Sequence, residues 1–251
     1  LKILKEELVP AMGCTEPIAL AYGAARAREV LGKEPERITA RCSGNIIKNV
    51  RCVTIPNSGG LTGIAASVIL GAVAGDASRN MEVLEGVTDQ GRARAKELLD
   101  AEVCGVELLT SPVPLHFVIE MSAGEDTVSL EIKYDHINVT RIVKNGEVLL
   151  DKDNADQQPE EADLTLLNLE DIREFADTVK LEDVKPLLES QIRCNMEIAR
   201  EGMTGKYGLG IGRIIRESYS DDMLTRMRSL TAAASEARMG GCDMPVIINS
   251  G

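Results

Sequence analysis

The sequence predicts an α+β fold, in which a mainly helical domain carries an inserted α+β subdomain with a small, largely antiparallel sheet. Three observations predict it. Between residues 103 and 150 short runs alternate apolar and polar residues, with turn residues between them. On either side of that block, apolar residues recur at helical spacing. The stretch 151–163 is acidic and polar and reads as a linker. The expected division is a helical domain from 1–35 and 164–251, with 36–150 as the insert.

In chain order, Ile3, Leu4 and Leu8 fall on one side of a helix that Pro10 is expected to stop. Thr15 reads as the N-cap of the next helix, which runs to about Leu31. Glu16 and Pro17 suit its first turn, where a negative charge and a missing N–H are both tolerated. Arg37 to Cys42 alternates as a strand, and Ser43-Gly44-Asn45 ends it. Lys48 and Asn49 are placed in a polar loop, followed by Val53 to Ile55. Pro56-Asn57-Ser58-Gly59-Gly60 is a Gly-rich turn opening an apolar helix from Leu61 to Ala74. Asp89 to Asp100 is a charged helix. Strands follow at 103–109, 115–121, 127–134, 138–144 and 147–150, and Asn145-Gly146 signals a two-residue hairpin. After the linker come a short helix at 169–179 and a longer stripe through Val184, Leu188, Ile192 and Met196. In that stripe Pro186 is expected in the first turn. Ser220-Asp221-Asp222 caps a last helix ending at Gly240-Gly241, and Met244 to Ile248 is a short strand.

Composition narrows the function. The formal charge is −12, which argues against nucleic acid and against anionic membrane surfaces. Aromatics are 2% with no Trp, which argues against a base-stacking platform too. The six cysteines form no CxxC pair, which fits a cytoplasmic protein with reduced thiols. Ala-rich helices allow a homodimer without requiring one. The first residue is Leu, and the last residues run into Asn-Ser-Gly as a loop would begin. Polypeptide is therefore expected beyond both ends.

Cys14 lies between a glycine and a helix N-terminus, where N–H groups and the helix dipole are expected to favour a thiolate. Ser43, Asn45, Lys48 and Asn49 gather donors and a cation within seven residues, as a carboxylate needs, although taken alone a solvated turn explains them better. Asn57, Ser58, Gly59 and Gly60 offer free N–H groups to an anion, without the Lys of a phosphate loop. Asn249 and Ser250 resemble a second such turn. Of the two histidines, His116 reads as structural and His136, in a polar turn, as the acid/base candidate. The glycines at 205, 208, 210 and 212 follow no clear strand, so a dinucleotide site is not supported.

The blocks Gly13-Cys14-Thr15-Glu16-Pro17-Ile18-Ala19-Leu20-Ala21, Ser43-Gly44-Asn45-Ile46-Ile47-Lys48-Asn49 and Ile55-Pro56-Asn57-Ser58-Gly59-Gly60-Leu61-Thr62-Gly63 resemble the L-cysteine desulfidase family. Met244 to Gly251 looks like the start of its Gly-rich loop. That family is related to the alpha part of iron–sulfur L-serine dehydratases. The resemblance spans the chain in order. It implies a cytoplasmic lyase that uses a [4Fe–4S] cluster to eliminate the β-substituent of a small amino acid, most directly L-cysteine, to give pyruvate, ammonia and sulfide. It makes Cys14 one cluster ligand, with the other cysteines beyond residue 251. Thr15 and the polar residues of the three loops would bind substrate, and Lys48 or His136 would move its proton.

Four alternatives are carried, one of them a purely structural remnant with no activity of its own. L-Serine offers the same β-heteroatom. A pyridoxal-phosphate enzyme would use Lys48 as its Schiff base. A non-catalytic amino-acid-binding module would bind without turnover.

Overall fold

The computed structural model describes residues 1–152 and 166–248. Helix α1 (Lys2–Glu7) leads into strand β1 (Val9–Met12) and the long helix α2 (Thr15–Leu31). Strand β2 (Arg37–Cys42), helices α3 (Gly44–Val50) and α4 (Gly63–Ala74), a 3-10 segment (Ala77–Glu82) and helix α5 (Asp89–Asp100) follow. Next come β3 (Cys104–Leu108), β4 (His116–Ala123), β5 (Asp126–Lys133), β6 (Val139–Lys144) and β7 (Glu147–Asp151). Helices α6 (Leu169–Thr178), α7 (Leu181–Gly202), α8 (Ile211–Ser218) and α9 (Met223–Met239) and strand β8 (Pro245–Ile248) complete the described chain.

The six-stranded sheet has the order β3-β2-β4-β5-β6-β7. Only β2 and β3 run parallel, and α3 to α5 form the crossover between them. The α+β class with a largely antiparallel sheet is therefore as expected. The two-residue period puts Phe117, Ile119 and Met121 of β4 and Val128, Leu130 and Ile132 of β5 on one face. Helix α2 covers that face, and α4 covers α2. Each such fully buried side chain contributes roughly 1.5–3 kcal/mol. Small residues bring the two helices into backbone contact: a Cβ on Gly71 would lie 2.2 Å from the Ala21 carbonyl oxygen.

The opposite face of the sheet is polar and carries its own network. His116 Nε2 meets Glu131 Oε1 at 2.9 Å and Nδ1 meets Ser111 Oγ at 2.7 Å. Thr140 donates to Glu131 at 2.8 Å, and Lys133 lies 3.2 Å from it.

Helices α7 and α8 each pack on α9, and α7, α9 and β8 share a second small core of Ile198, Ala237, Cys242 and Val246. Strand β8 returns to pair antiparallel with β1, and Asn195 of α7 bonds both the N–H and the C=O of Ile247.

Several expectations need correction. Pro10 does not simply end a helix. It sits in β1 opposite Ile247, in a two-stranded ribbon where its missing N–H is tolerated. The loop expected around Lys48 and Asn49 is helix α3, because Ser43 caps it by accepting from Ile46 N. Cys14, not Thr15, occupies the N-cap position of α2. Pro186 lies in the second turn of α7, past the first-turn position. Asp151 belongs to β7, while most of the expected linker, from residue 153 on, lies outside the described residues.

Candidate active site

The chain folds back on itself around the N-terminus of α2. Gly13 adopts φ +61°, and a Cβ there would lie 2.4 Å from Pro56 Cγ. Only glycine therefore lets the Gly-rich turn press against Gly13-Cys14. From the other side, Arg238 near the end of α9 donates from Nε to the Gly13 carbonyl at 2.7 Å. Residues far apart in sequence thus meet around one carboxylate, that of Glu16.

Glu16 accepts three side-chain hydrogen bonds. Cys14 Sγ donates to Oε2 at 3.1 Å, Thr15 Oγ1 donates to Oε2 at 3.2 Å, and Asn49 Nδ2 donates to Oε1 at 2.8 Å. Burial acts to raise its carboxyl, but the bonds from Cys14 and Asn49 hold it below the ordinary carboxylate range. His136 stands within electrostatic reach of both Glu16 and Arg238. Burial chiefly lowers the imidazole from its ordinary value, against the opposing pull of Asp135 and Glu16, so neutral pH leaves it uncharged.

Cys14 behaves differently from the thiolate expected at a helix N-terminus. It is buried, and that burial together with the bond to Glu16 pushes the thiol up to about 12. Two neighbouring effects, desolvation and a carboxylate, outweigh the helix dipole. The arrangement is a protonated thiol pointed at an ionised carboxylate.

Of the sequence candidates, Cys14, Thr15, Asn49 and His136 gather at this centre. Ser43 is buried and its hydroxyl donates to the Pro114 carbonyl, so its visible work is to hold α3. Asn45 and Lys48 are exposed on α3. Asn57 Nδ2 donates to the carbonyls of Leu84, Glu85 and Val87, and its own amide oxygen accepts from Arg92 at 2.7 Å. Ser58 is buried and accepts from Leu61 N at 2.9 Å. With Gly59 and Gly60 these residues line an open cleft of about 300 Å³ that also reaches Arg92, Gly241 and Asp243. Asn249 and Ser250 lie outside the described residues. His116 is buried and structural, as expected.

Glu16 and Arg238 were not among the sequence candidates. Glu16 was visible inside the Gly13–Pro17 block but was read only as a first-turn charge. Arg238 has no motif around it, and tertiary packing alone brings it to Gly13.

A three-cysteine cluster was tested against these positions. All six cysteines are free. Among the described residues, no three His, Cys, Asp or Glu side chains are grouped to hold a metal ion. Cys14 pairs with a carboxylate rather than with a second cysteine. The described residues therefore do not by themselves fit a [4Fe–4S] site. Among those residues, too, no helix is long and apolar enough to cross a membrane.

Comparison with known proteins places the chain. A UPF0597 protein of Lachnoclostridium phytofermentans is 43% identical over 249 residues, covering 99% of this chain and 60% of the relative. A UPF0597 protein of Desulfitobacterium hafniense is 45% identical over 252 residues, covering 100% of this chain and 59% of the relative. One from Finegoldia magna is 43% identical over 251 residues, covering 100% and 60%. The chain thus spans about three fifths of the length of these curated relatives. No solved structure matches it. The family model described as "Serine dehydratase alpha chain" matches residues 78–251. The chain belongs to the serine dehydratase alpha chain family.

Proposed function

We propose that this chain carries the proton-transfer part of a lyase that eliminates the β-substituent of a small amino acid, with L-cysteine as substrate. One observation carries the reading: a buried thiol, Cys14, donates to a carboxylate, Glu16, beside a histidine and an arginine. The sheet region with α2 supplies Cys14, Glu16, Asn49 and His136, and α9 supplies Arg238.

The chemistry follows from these groups. Arg238 spends Nε on Gly13, and among the described residues no protein group pairs with its terminal nitrogens, which suit a substrate carboxylate. The Cα–H bond breaks as its proton passes to the Cys14 sulfur, while the thiol proton passes along the hydrogen bond to Glu16. The Cα–H electron pair forms the Cα=Cβ bond, and the Cβ–S pair leaves with HS⁻. Aminoacrylate tautomerises to the imine, which water hydrolyses to pyruvate and ammonia. His136, uncharged at neutral pH, is the group able to take the proton onward from Glu16. Because the thiol is raised and Glu16 is lowered, the sulfur gives up its proton only as it takes the Cα proton, in one concerted movement. An iron–sulfur cluster held wholly by residues other than the described ones would supply Lewis acidity for the leaving group and leave Cys14 free to move the proton.

The family description favours a second substrate, L-serine, which would lose hydroxide in the same way. The test is anaerobic turnover by the full polypeptide, reconstituted with iron and sulfide. The cysteine reading expects sulfide and pyruvate from L-cysteine, and both to fall by about 10²–10⁴-fold in Cys14→Ala. Pyruvate from L-serine alone transfers the assignment to serine. Binding of either amino acid without turnover leaves an amino-acid-binding module.

A further inference from the structure

The six-stranded sheet has two edges, and they differ. At one edge β7 pairs with β6 through a register shift between Ile142 and Val143, and Glu147 and Asp151 stand at its two ends. An irregular ladder, and like charges that would meet if the strand paired with a copy of itself, keep an edge from taking another strand. At the other edge β3 pairs with β2 over five residues without a shift and contains no Lys or Pro. None of the described strands pairs with its outer side.

The ladder decides which groups of β3 face outward. Val103 C=O accepts from Ile38 N, and Leu109 N donates to Cys42 C=O. Bonds in a parallel pair recur at alternate residues, so Val103, Gly105, Glu107 and Leu109 spend their backbone groups on β2. Cys104, Val106 and Leu108 therefore point both N–H and C=O away from the sheet. Their side chains share the face of Ile38, Ala40 and Cys42, which α2 and α4 cover. That cover stops short of the edge: Val106 is 42% exposed and Leu108 68%. One strand thus joins open hydrogen-bonding groups to an uncovered apolar row.

We infer that β3 is the seam of a homodimer, in which a second copy lays its own β3 antiparallel across a two-fold axis and the two sheets continue as one. The strand is complementary to itself in one register. Setting Val106 opposite its own copy pairs Cys104 with Leu108 on either side, and every outward N–H and C=O of the three residues finds a partner. Their side chains then form one apolar row across the seam. Glu107 lies opposite Gly105, so neither a like charge nor a side chain opposes it. Of the neighbouring registers that also bring outward groups together, one sets Glu107 against Glu107. The other sets Leu108 against Glu102, which has left the strand conformation at φ +53°. This inference concerns assembly and does not rest on the elimination reading.

The test is analytical ultracentrifugation of the full polypeptide over a range of concentrations, with Val106→Pro beside it. The N–H that this substitution removes is one that β2 does not use, so the sheet within the chain keeps its ladder. The expected result is a reversible dimer whose association weakens on the order of tenfold or more in Val106→Pro. Disulfide trapping then reads the register, in a background where the exposed Cys52 is replaced by Ser. Val106→Cys should be trapped as a covalent dimer, because facing Cα atoms of a hydrogen-bonded pair stand about 5.5 Å apart. Glu107→Cys, which faces Gly105, should not. A polypeptide that stays monomeric at every concentration overturns the inference. So does a dimer that Val106→Pro leaves intact, or one that traps Glu107→Cys as readily as Val106→Cys. If Val106→Pro does not fold, the trapping experiment decides the matter alone.

Discussion

Helices α2 and α9 are each 17 residues long, yet eleven residues of α2 are buried and only four of α9. The difference lies in what surrounds them. Helix α2 has the sheet on one side and α4 on the other, so nearly its whole circumference is dry. Helix α9 buries a single stripe, Thr225, Ser229, Ala233 and Ala237, at intervals of four residues. The sheet region therefore carries a large self-sufficient core, whereas the C-terminal helices hold together through one narrow seam. The candidate site sits where the two regions touch, with Arg238 reaching from the weaker region into the stronger one.

That contrast can be broken at two of the helix contacts that demand glycine. Gly71→Ala puts a Cβ 2.2 Å from the Ala21 carbonyl oxygen, and no flexible side chain is there to yield. The clash lies in the main core and should cost about 1–3 kcal/mol of global stability. Thermal denaturation would show a clear fall in Tm. Gly202→Ala makes the matching clash, 2.0 Å from the Ala233 carbonyl oxygen, at the seam between α7 and α9. Amide exchange should rise in α7–α9 while β4 and β5 keep their protection. Equal loss of protection in both regions would mean that they unfold as one unit.

A smaller effect concerns the polar face of the sheet. Burial acts to raise Glu131, but hydrogen bonds from Thr140, His116 and Lys133 hold its carboxyl below the ordinary range. A depressed folded-state value adds stability that is fully present above the unfolded pKa of about 4.3. That stability is lost as pH falls through the folded value. Glu131→Gln should therefore cost about 1.5–3 kcal/mol near pH 7 and progressively less in acid, which urea titrations at several pH values would resolve. The smallest effect is expected at Leu209→Ser. In the chain as described the side chain is exposed, so stability should move by no more than about 0.5 kcal/mol.

Much of the fold was legible because its signals are local. Alternation along β4 and β5 and the Asn145-Gly146 turn needed nothing beyond their own segments. Of the β1–β8 ribbon only the β8 half was legible: its pairing joins residues from opposite ends of the described chain, and in β1 a proline within four residues reads as a stop. Helix α3 was hidden for a different reason. Seven residues rich in Asn and Gly look like a turn until Ser43 is known to cap them. The site divides in the same way. Cys14 and Asn49 stood out by motif, but the thiol's protonation depends on burial, and Arg238 becomes relevant only through the packing of α9 against Gly13.

The central claim is that Glu16 receives the proton that Cys14 hands on. Glu16→Gln keeps the shape and the hydrogen bond from Asn49 can be replaced, but the acceptor is lost. The measurement is exchange of the Cα proton of L-cysteine in deuterated water, followed by NMR beside pyruvate release, on the full polypeptide and its Glu16→Gln variant. The account predicts that both rates fall together by about 10²-fold or more, with Tm little changed. Exchange and release that continue at the wild-type rate in a folded Glu16→Gln protein would contradict it.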